Sequence, residues 1–310
     1  MTIKFFNHRT QLCLFALVFC TSLFVNSVWA SKDTSNLVVD EKWLMQHADD
    51  PDLVIIDTRS EEQYAKGHIK DAINLPTSRS FSKLPPTDRL APESEINQLF
   101  GNAGVSNNSM VVVYDNGNFK IAARLLWAFH VNGHKKVAIL STDYSSWKAL
   151  NLPVSTIPTV RKATSFSSKV QPKRIATSFQ TLLATKNESV TIVDVREQDE
   201  YRGERTRSRR YGHIPNAISI DWHAMSVKEG EVNRLKPTDD LRSLFSVIDP
   251  ENSVITYCQK GHEAALAYVA LSMMGHDVRL YDGSWHEWGN SSNLPVEGPD
   301  DSPAMPLIAQ

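Results

Sequence analysis

The sequence predicts an α/β protein made of two tandem copies of one domain, each a mainly parallel sheet flanked by helices. Two observations carry this. Short apolar runs of strand length alternate with helix-length patterns, as in sheets covered on both faces. The succession of elements in the first half also recurs, diverged, in the second.

Taken in chain order, residues 1–30 read as a secretory signal peptide. Lys4, His8 and Arg9 give a mildly basic start, Leu12 to Val25 is nearly all apolar, and Ser27-Val28-Trp29-Ala30 offers a cleavage site after Ala30. The apolar run is shorter than the roughly 20 residues a membrane anchor needs. Phe19 before Cys20 argues against a lipoprotein signal. The expectation is therefore a periplasmic or secreted protein with no membrane anchor after cleavage. Loss of Lys4 and Arg9 leaves 31 of the 33 basic side chains against 35 acidic ones. So mild a charge points to no nucleic-acid or membrane-surface partner. Cys13 and Cys20 depart with the leader, leaving Cys258. No intramolecular disulfide is then possible, and packed cores must supply the stability.

The first copy, expected over 31–158, reads Val54-Ile55-Ile56-Asp57-Thr58-Arg59, Tyr64, Gly67-His68-Ile69 and Ala72-Ile73-Asn74. The second, expected over 174–298, reads Ile192-Val193-Asp194-Val195-Arg196, Tyr201, Gly212-His213-Ile214 and Ala217-Ile218-Ser219. Each continues to a strand, Met110 to Tyr114 and Ser253 to Tyr257. Each then has a helix stopping at a Gly-His pair, Gly133-His134 and Gly275-His276, a left-handed helix end. Both close with a Trp and a Leu-Pro-Val, at Trp147 with Leu152 to Val154 and Trp288 with Leu294 to Val296. Residues 159–173, rich in Ser, Thr, Lys and Arg without apolar periodicity, read as a linker, and 299–310 as a flexible tail. An inserted basic run, Arg202 to Arg210, reads foremost as a solvated loop.

In parallel α/β sheets, function gathers in the loops at the carboxyl ends of strands. Cys258 stands there, between Ser253-Val254-Ile255-Thr256-Tyr257 and a helix from Ala264, in the loop Gln259-Lys260-Gly261-His262-Glu263. A thiol facing a helix N-terminus sees unpaired N–H groups and a favourable dipole, which lower its pKa and favour the nucleophilic thiolate. The plain alternative is a small buried hydrophobe. Asp115 holds the corresponding place in the first copy, where a carboxylate has no means of carrying sulfur.

These residues resemble the tandem rhodanese sulfurtransferases, two rhodanese domains with one catalytic cysteine in the second. Asp-x-Arg followed by Gly-His-Ile occurs twice, a loop cysteine once, and Tyr281-Asp282-Gly283-Ser284-Trp285-His286-Glu287-Trp288 looks like the family's closing motif. The resemblance implies a small-molecule sulfur donor such as thiosulfate, a thiophilic acceptor such as cyanide, and a Cys258 persulfide between them, with no cofactor and no metal. A persulfide anion needs several donors, and a Gly-containing loop turns successive N–H groups inward. Lys260 would then neutralise a dianionic donor, and its place two residues after the cysteine resembles the thiosulfate-using members more than the mercaptopyruvate-using ones.

Some positions depart from the family pattern. Glu200 stands where well-known members carry an anion-binding Arg before Tyr201, leaving Arg202, Arg205 or Arg207 as substitutes. Glu263 is expected to face outward and cap its helix, and His262 either to meet substrate or to lie in solvent. Asp194 and Arg196 are expected to brace the loop, His213 to sit at a strand entry, and Trp285 and Trp288 in core or pocket wall. Trp222 and Tyr257 are candidates to line the cleft. Two other readings stand beside the enzyme: a sulfur-carrier or partner-binding module on the same fold, and a phosphatase-like enzyme. The second is weakened because Ala264 occupies the Arg position of a Cys-x5-Arg cradle.

Overall fold

Continuous apolar runs build the centre of each half. The computed structural model describes residues 37–298 apart from 86 and 87. The expected leader and tail lie outside the described residues. The first half runs β1 (Val38–Val39), α1 (Glu41–Gln46), β2 (Leu53–Asp57), α2 (Glu61–Ala65), β3 (His68–Ile69), β4 (Ile73–Asn74), α3 (Glu93–Asn102), β5 (Met110–Tyr114), α4 (Lys120–Val131), β6 (Val137–Leu140), α5 (Tyr144–Ala149) and β7 (Val154–Ser155). The second runs β8 (Ile175–Ala176), α6 (Ser178–Ala184), β9 (Val190–Asp194), α7 (Gln198–Tyr201), β10 (Ile218–Ser219), β11 (Ser226–Glu229), β12 (Val232–Leu235), α8 (Thr238–Leu244), β13 (Ser253–Tyr257), α9 (His262–Met273), β14 (Val278–Tyr281) and α10 (Ser284–Trp288).

The two sheets have one topology. The first is ordered β1-β6-β5-β2-β4 and the second β8-β14-β13-β9-β10, with every pair parallel. Register pairs Asp57 with Tyr114 and Asp194 with Tyr257, the last residues of their strands. The chain therefore leaves β5 and β13 at equivalent places, toward Asp115 and Cys258.

Helices α4 and α9 pack against each other and join the halves into one compact unit. Helix α9 is buried at every residue from Ala264 to Leu271. A helix apolar all round is covered all round, and α9 lies between its own sheet and α4. The His130 Nδ1 lies 3.0 Å from the Tyr268 hydroxyl across this contact. The β11–β12 hairpin clasps the first half from the other side, where Arg234 pairs with Glu41 at 2.7 Å and the Leu235 N–H donates to the Ser141 carbonyl at 3.2 Å.

Residues 156–171 form no helix or strand yet lie against the first half. Phe166 is buried edge-on to Phe100, and the N–H groups of Thr164 and Gln171 donate to the carbonyls of Gly101 and Val131. Among the described residues no helix is long and apolar enough to cross a membrane.

Candidate functional site

The loop after β13 is shaped around the Cys258 sulfur. Gly261 caps α9 in the left-handed region at φ 85° and points its N–H at Sγ, 3.0 Å away. The backbone amides of Lys260 and Ala264 also favour the charged form of the thiol. The closing motif holds the loop's carbonyls from the other side. Trp285 N–H donates to the Cys258 carbonyl at 2.8 Å and His286 N–H to that of Gln259 at 2.9 Å. With carbonyls drawn outward, the amides are left facing the sulfur.

The equivalent loop in the first half reveals what such a cradle holds. Asp115 is buried, and its carboxylate accepts from the N–H groups of Gly117, Phe119, Ile121 and Ala122 at 3.0–3.2 Å. One side chain thus fills the anion cradle of the half that lacks the cysteine. Burial nevertheless raises its pKa, against the pull of those four amides.

The thiol's own setting corrects one expectation. Cys258 is fully buried, and its pKa is pushed up to about 12, not lowered. Burial is the larger cause and the Glu263 carboxylate the next; the amides of Ala264 and Lys260 pull the other way. Desolvation and a neighbouring anion outweigh the helix terminus.

Glu263 corrects a second expectation, because it faces inward. Its carboxylate acts on the Cys258 thiol and pairs with Lys120 Nζ at 2.8 Å, both side chains largely buried. Burial is the largest single effect and would raise Glu263, but Lys120, with the Cys258 thiol and Glu263's own backbone N–H, outweighs it and holds the carboxyl at about 2. Lys120 is the first residue of α4, so the N-termini of the two central helices meet at the sulfur. Its ammonium also lies 4.3 Å from the Trp222 ring centroid, which places Trp222 at the site.

The rest of the loop divides between wall and rim. His262 packs edge-on to Phe81 of the first half, half-buried, and burial lowers its pKa to about 4. Gln259 is buried, its Nε2 reaching the Ser208 Oγ at 3.2 Å. The Lys260 side chain is exposed and enters no ion pair among the described residues. Beneath Gly261 lies Arg124 of α4, 1% exposed, with Nη2 bonded to the Asp282 carboxylate and Nη1 without a partner among the described residues. A cavity of about 530 Å³ opens on the first-half side, lined by Thr58, Thr77, Arg79, Phe81, Ile121 and His262 among others. The sequence alone points neither to Lys120 nor to Phe81, while Ala123-Arg124 and Trp127, with Tyr114-Asp115, match the tandem pattern of the first half. No pattern within the chain tells that α4 begins beside Cys258.

Asp194 and Arg196 stand one step back. Arg196 Nε donates to both Asp194 oxygens at 3.0 and 3.1 Å, and Nη2 to the Gly212 carbonyl at 2.8 Å. The Tyr257 hydroxyl donates to Asp194 at 2.6 Å and accepts from Ile214 N–H at 3.1 Å, so Tyr257 is bound in the core and does not line a cleft. The guanidinium lies 4.5 Å from the Trp285 ring, and Trp285 holds the Cys258 carbonyl. Asp57, Arg59, Tyr114, Gly67 and Ile69 repeat the arrangement. His213 stacks on Tyr201 at the strand entry, and Trp285 and Trp288 are core.

The three candidate arginines differ in position. Arg202 pairs with the exposed Glu204, and Arg205 with Glu197 and Asp199 and, at 3.8 Å, with the buried Glu200. Arg207 is held by the buried Glu200 through Nε and Nη2 at 3.0 and 2.9 Å, and its charge is felt together with that of Glu263. Its carbonyl accepts from Gln259 of the loop at 3.4 Å. Among the described residues no cluster of three or more His, Cys, Asp or Glu could hold a metal ion.

Comparison with known proteins fits this geometry. The model of the rhodanese-like domain matches residues 40–150 and again 176–291. The chain is 30% identical over 276 residues to 3-mercaptopyruvate sulfurtransferase of Escherichia coli strain K12, covering 84% of this chain and 97% of that one. It is also 30% identical over 264 residues to thiosulfate sulfurtransferase of Azotobacter vinelandii, with the same coverage of each. The crystal structure of SseA from Escherichia coli, a 3-mercaptopyruvate sulfotransferase, superposes with a TM-score of 0.70 at 29% identity, covering 81% of this chain and 99% of that one.

Proposed function

This chain belongs to the rhodanese family as a tandem-domain sulfurtransferase, and from that membership we propose that it takes sulfane sulfur from thiosulfate as a Cys258 persulfide. The Cys258 thiolate attacks the outer sulfur of the donor. The donor's S–S bond breaks and its electron pair leaves with sulfite. A thiophilic acceptor such as cyanide then attacks the outer persulfide sulfur, returning the thiolate and forming thiocyanate.

The observation that carries this reading is the cradle at Sγ, where the Gly261 N–H donates to the sulfur and the backbone amides of Lys260 and Ala264 favour its charged form. A persulfide anion formed at Sγ would be stabilised by such preorganised N–H groups, which need no reorientation as charge develops. The Asp115 carboxylate in the sister loop supports the same inference, since four amides there already hold an anion. Lys260 at the rim and Arg207 beside Glu263 supply cationic charge for the donor. The tie of the Arg207 carbonyl to Gln259 of the cysteine loop supports Arg207, rather than Arg202 or Arg205, as the residue that replaces the missing arginine.

A second donor has an observation in its favour. The buried Glu263 carboxylate repels a dianion more than a monoanion, which favours 3-mercaptopyruvate, whose thiol is largely protonated at neutral pH. Initial-rate kinetics with each donor against cyanide decide between them. A higher kcat/KM for thiosulfate, with parallel double-reciprocal lines, is expected; a higher value for 3-mercaptopyruvate would replace it. We further infer export to a periplasm or to the outside, supported by the basic start and apolar run of residues 1–30. N-terminal sequencing of the mature protein tests this, with Ser31 the expected first residue.

A further inference from the structure

A closed ion pair lies over the nucleophile, and its two halves come from different domains. Glu263 is close enough for its charge to raise the thiol's pKa, Lys120 pairs with Glu263 at 2.8 Å, and Cys258 itself has no exposed surface. An anionic donor brought beside this carboxylate would be repelled, and a carboxylate already neutralised by an ammonium is a poor acceptor for the thiol proton. Moving a single cation relieves both obstacles.

We propose that Lys120 and Glu263 form an exchange pair: Lys120 transfers from Glu263 to the anionic group of the donor, and the released Glu263 takes the proton of Cys258. This rests on the sulfur-transfer reading above and adds to it a specificity-determining residue from the half without the cysteine. The Sγ–H bond breaks with its electron pair left on sulfur, and the proton passes to a Glu263 oxygen. Sγ then bonds the donor's outer sulfur, and the donor's S–S pair departs with sulfite. The proton leaves with sulfite or to water, and the Lys120–Glu263 pair closes again over the persulfide.

Three features support the exchange. Burial raises Glu263 while Lys120 lowers it, so the position of one ammonium sets its basicity. Lys120 rests on the Trp222 ring, a surface along which an ammonium keeps a favourable contact as it moves. The other charges near the pair are Arg207 in the inserted loop, which feels Glu263, and Arg124 on α4 and Asp282 after β14, which act with the pair on His262, itself kept neutral near pH 7 by burial. Arg124 and Asp282 are bonded to each other and Arg207 to Glu200.

The test uses the mature full chain as wild type, Lys120→Gln, Lys120→Arg and Glu263→Gln, each checked for a native circular dichroism spectrum. Sulfur loading by thiosulfate and by 3-mercaptopyruvate is read by intact mass against donor concentration. Alkylation of Cys258 by iodoacetamide, a neutral probe, is followed from about pH 6 to 11, where a thiol held at about 12 reacts faster at each step up and a lowered pKa reads as faster alkylation at every pH. Lys120→Gln is expected to raise the donor concentration for half-loading about tenfold, the effect of one charge-assisted contact. Lys120→Arg should restore most of it. Glu263→Gln is expected to shift the alkylation profile toward lower pH by about one unit or more, while slowing sulfur loading. An unchanged donor dependence in Lys120→Gln, or an alkylation profile of Glu263→Gln superimposable on wild type, overturns the proposal. Equal failure of Lys120→Arg and Lys120→Gln overturns it too, as the signature of a purely structural contact. Absence of loading in wild type itself defeats the sulfur-transfer reading, and the alkylation arm still decides whether Glu263 holds the thiol.

Discussion

Replacing Gly261 by alanine tests the physical account of the cradle at its tightest point. The backbone there has φ 85°, a left-handed conformation that costs an L-residue about 1–2 kcal/mol. The added Cβ would also come within 2.7 Å of Arg124 Nη1 and 3.3 Å of its Cζ. That guanidinium has no retreat to solvent: it is 1% exposed, bonded to Asp282, and 4.4 Å from the Trp127 ring centroid. Forcing it aside adds about 1–3 kcal/mol, as overpacking does elsewhere. The total, about 3 kcal/mol, corresponds to a Tm fall of about 6–12 °C at this chain size. Thermal unfolding by circular dichroism measures it, and a double-mutant cycle with Arg124→Ala isolates the clash. In the Arg124→Ala background the cost should shrink toward the backbone share. A Tm within about a degree of wild type, or the same cost with and without Arg124, would refute the reasoning.

Further outcomes follow from the same geometry. Asp115→Asn places an amide N–H₂ among four amide donors and should lower stability by about 1–3 kcal/mol in urea unfolding, with sulfur loading at Cys258 retained; loss of loading with unchanged stability would contradict it. Tyr257→Phe leaves the buried Ile214 N–H and an Asp194 oxygen short of a partner, and a loss of about 1–3 kcal/mol is expected by the same measurement. Arg207→Ala should raise the KM for donor with kcat little changed, and a fall in kcat alone would remove Arg207 from donor binding. Acid sensitivity has a definite sign. The fold keeps His262 neutral down to about 4 against an ordinary 6.5, so the unfolded chain binds that proton first and stability falls as pH drops from 6.5 to 4. Glu263, held at about 2 against 4.5, adds a loss that begins below pH 4.5. His262→Gln should flatten the upper window in urea titrations at several pH values, and curves parallel to wild type would count against it.

The repeated architecture was legible because it rests on patterns local to the chain. Apolar runs and the recurrence of Asp-x-Arg with Gly-His-Ile led to two matching sheets, and the position of Cys258 after an apolar run led to the loop. The site's electrostatics were not legible, because they arise from contacts between residues far apart in sequence. Glu263 looks like an ordinary first-turn acid until α4 sets Lys120 beside it, 143 positions away. The lowered thiol pKa expected from the helix terminus failed because the fold buries the sulfur and turns Glu263, a member of the same loop expected to face outward, toward it. Glu200 likewise read as a missing arginine, whereas in the fold it anchors Arg207. The first copy carried one usable hint, since Lys120 follows Asp115 at nearly the spacing that separates His262 from Cys258.

The most direct measurement is the intact mass of the mature protein after thiosulfate alone, beside a Cys258→Ser variant, followed by addition of cyanide. The account predicts a gain of one sulfur atom on the wild type only, lost again as thiocyanate forms. A wild type that gains no sulfur from thiosulfate or 3-mercaptopyruvate, or a variant that gains it equally, would contradict a persulfide carried on Cys258.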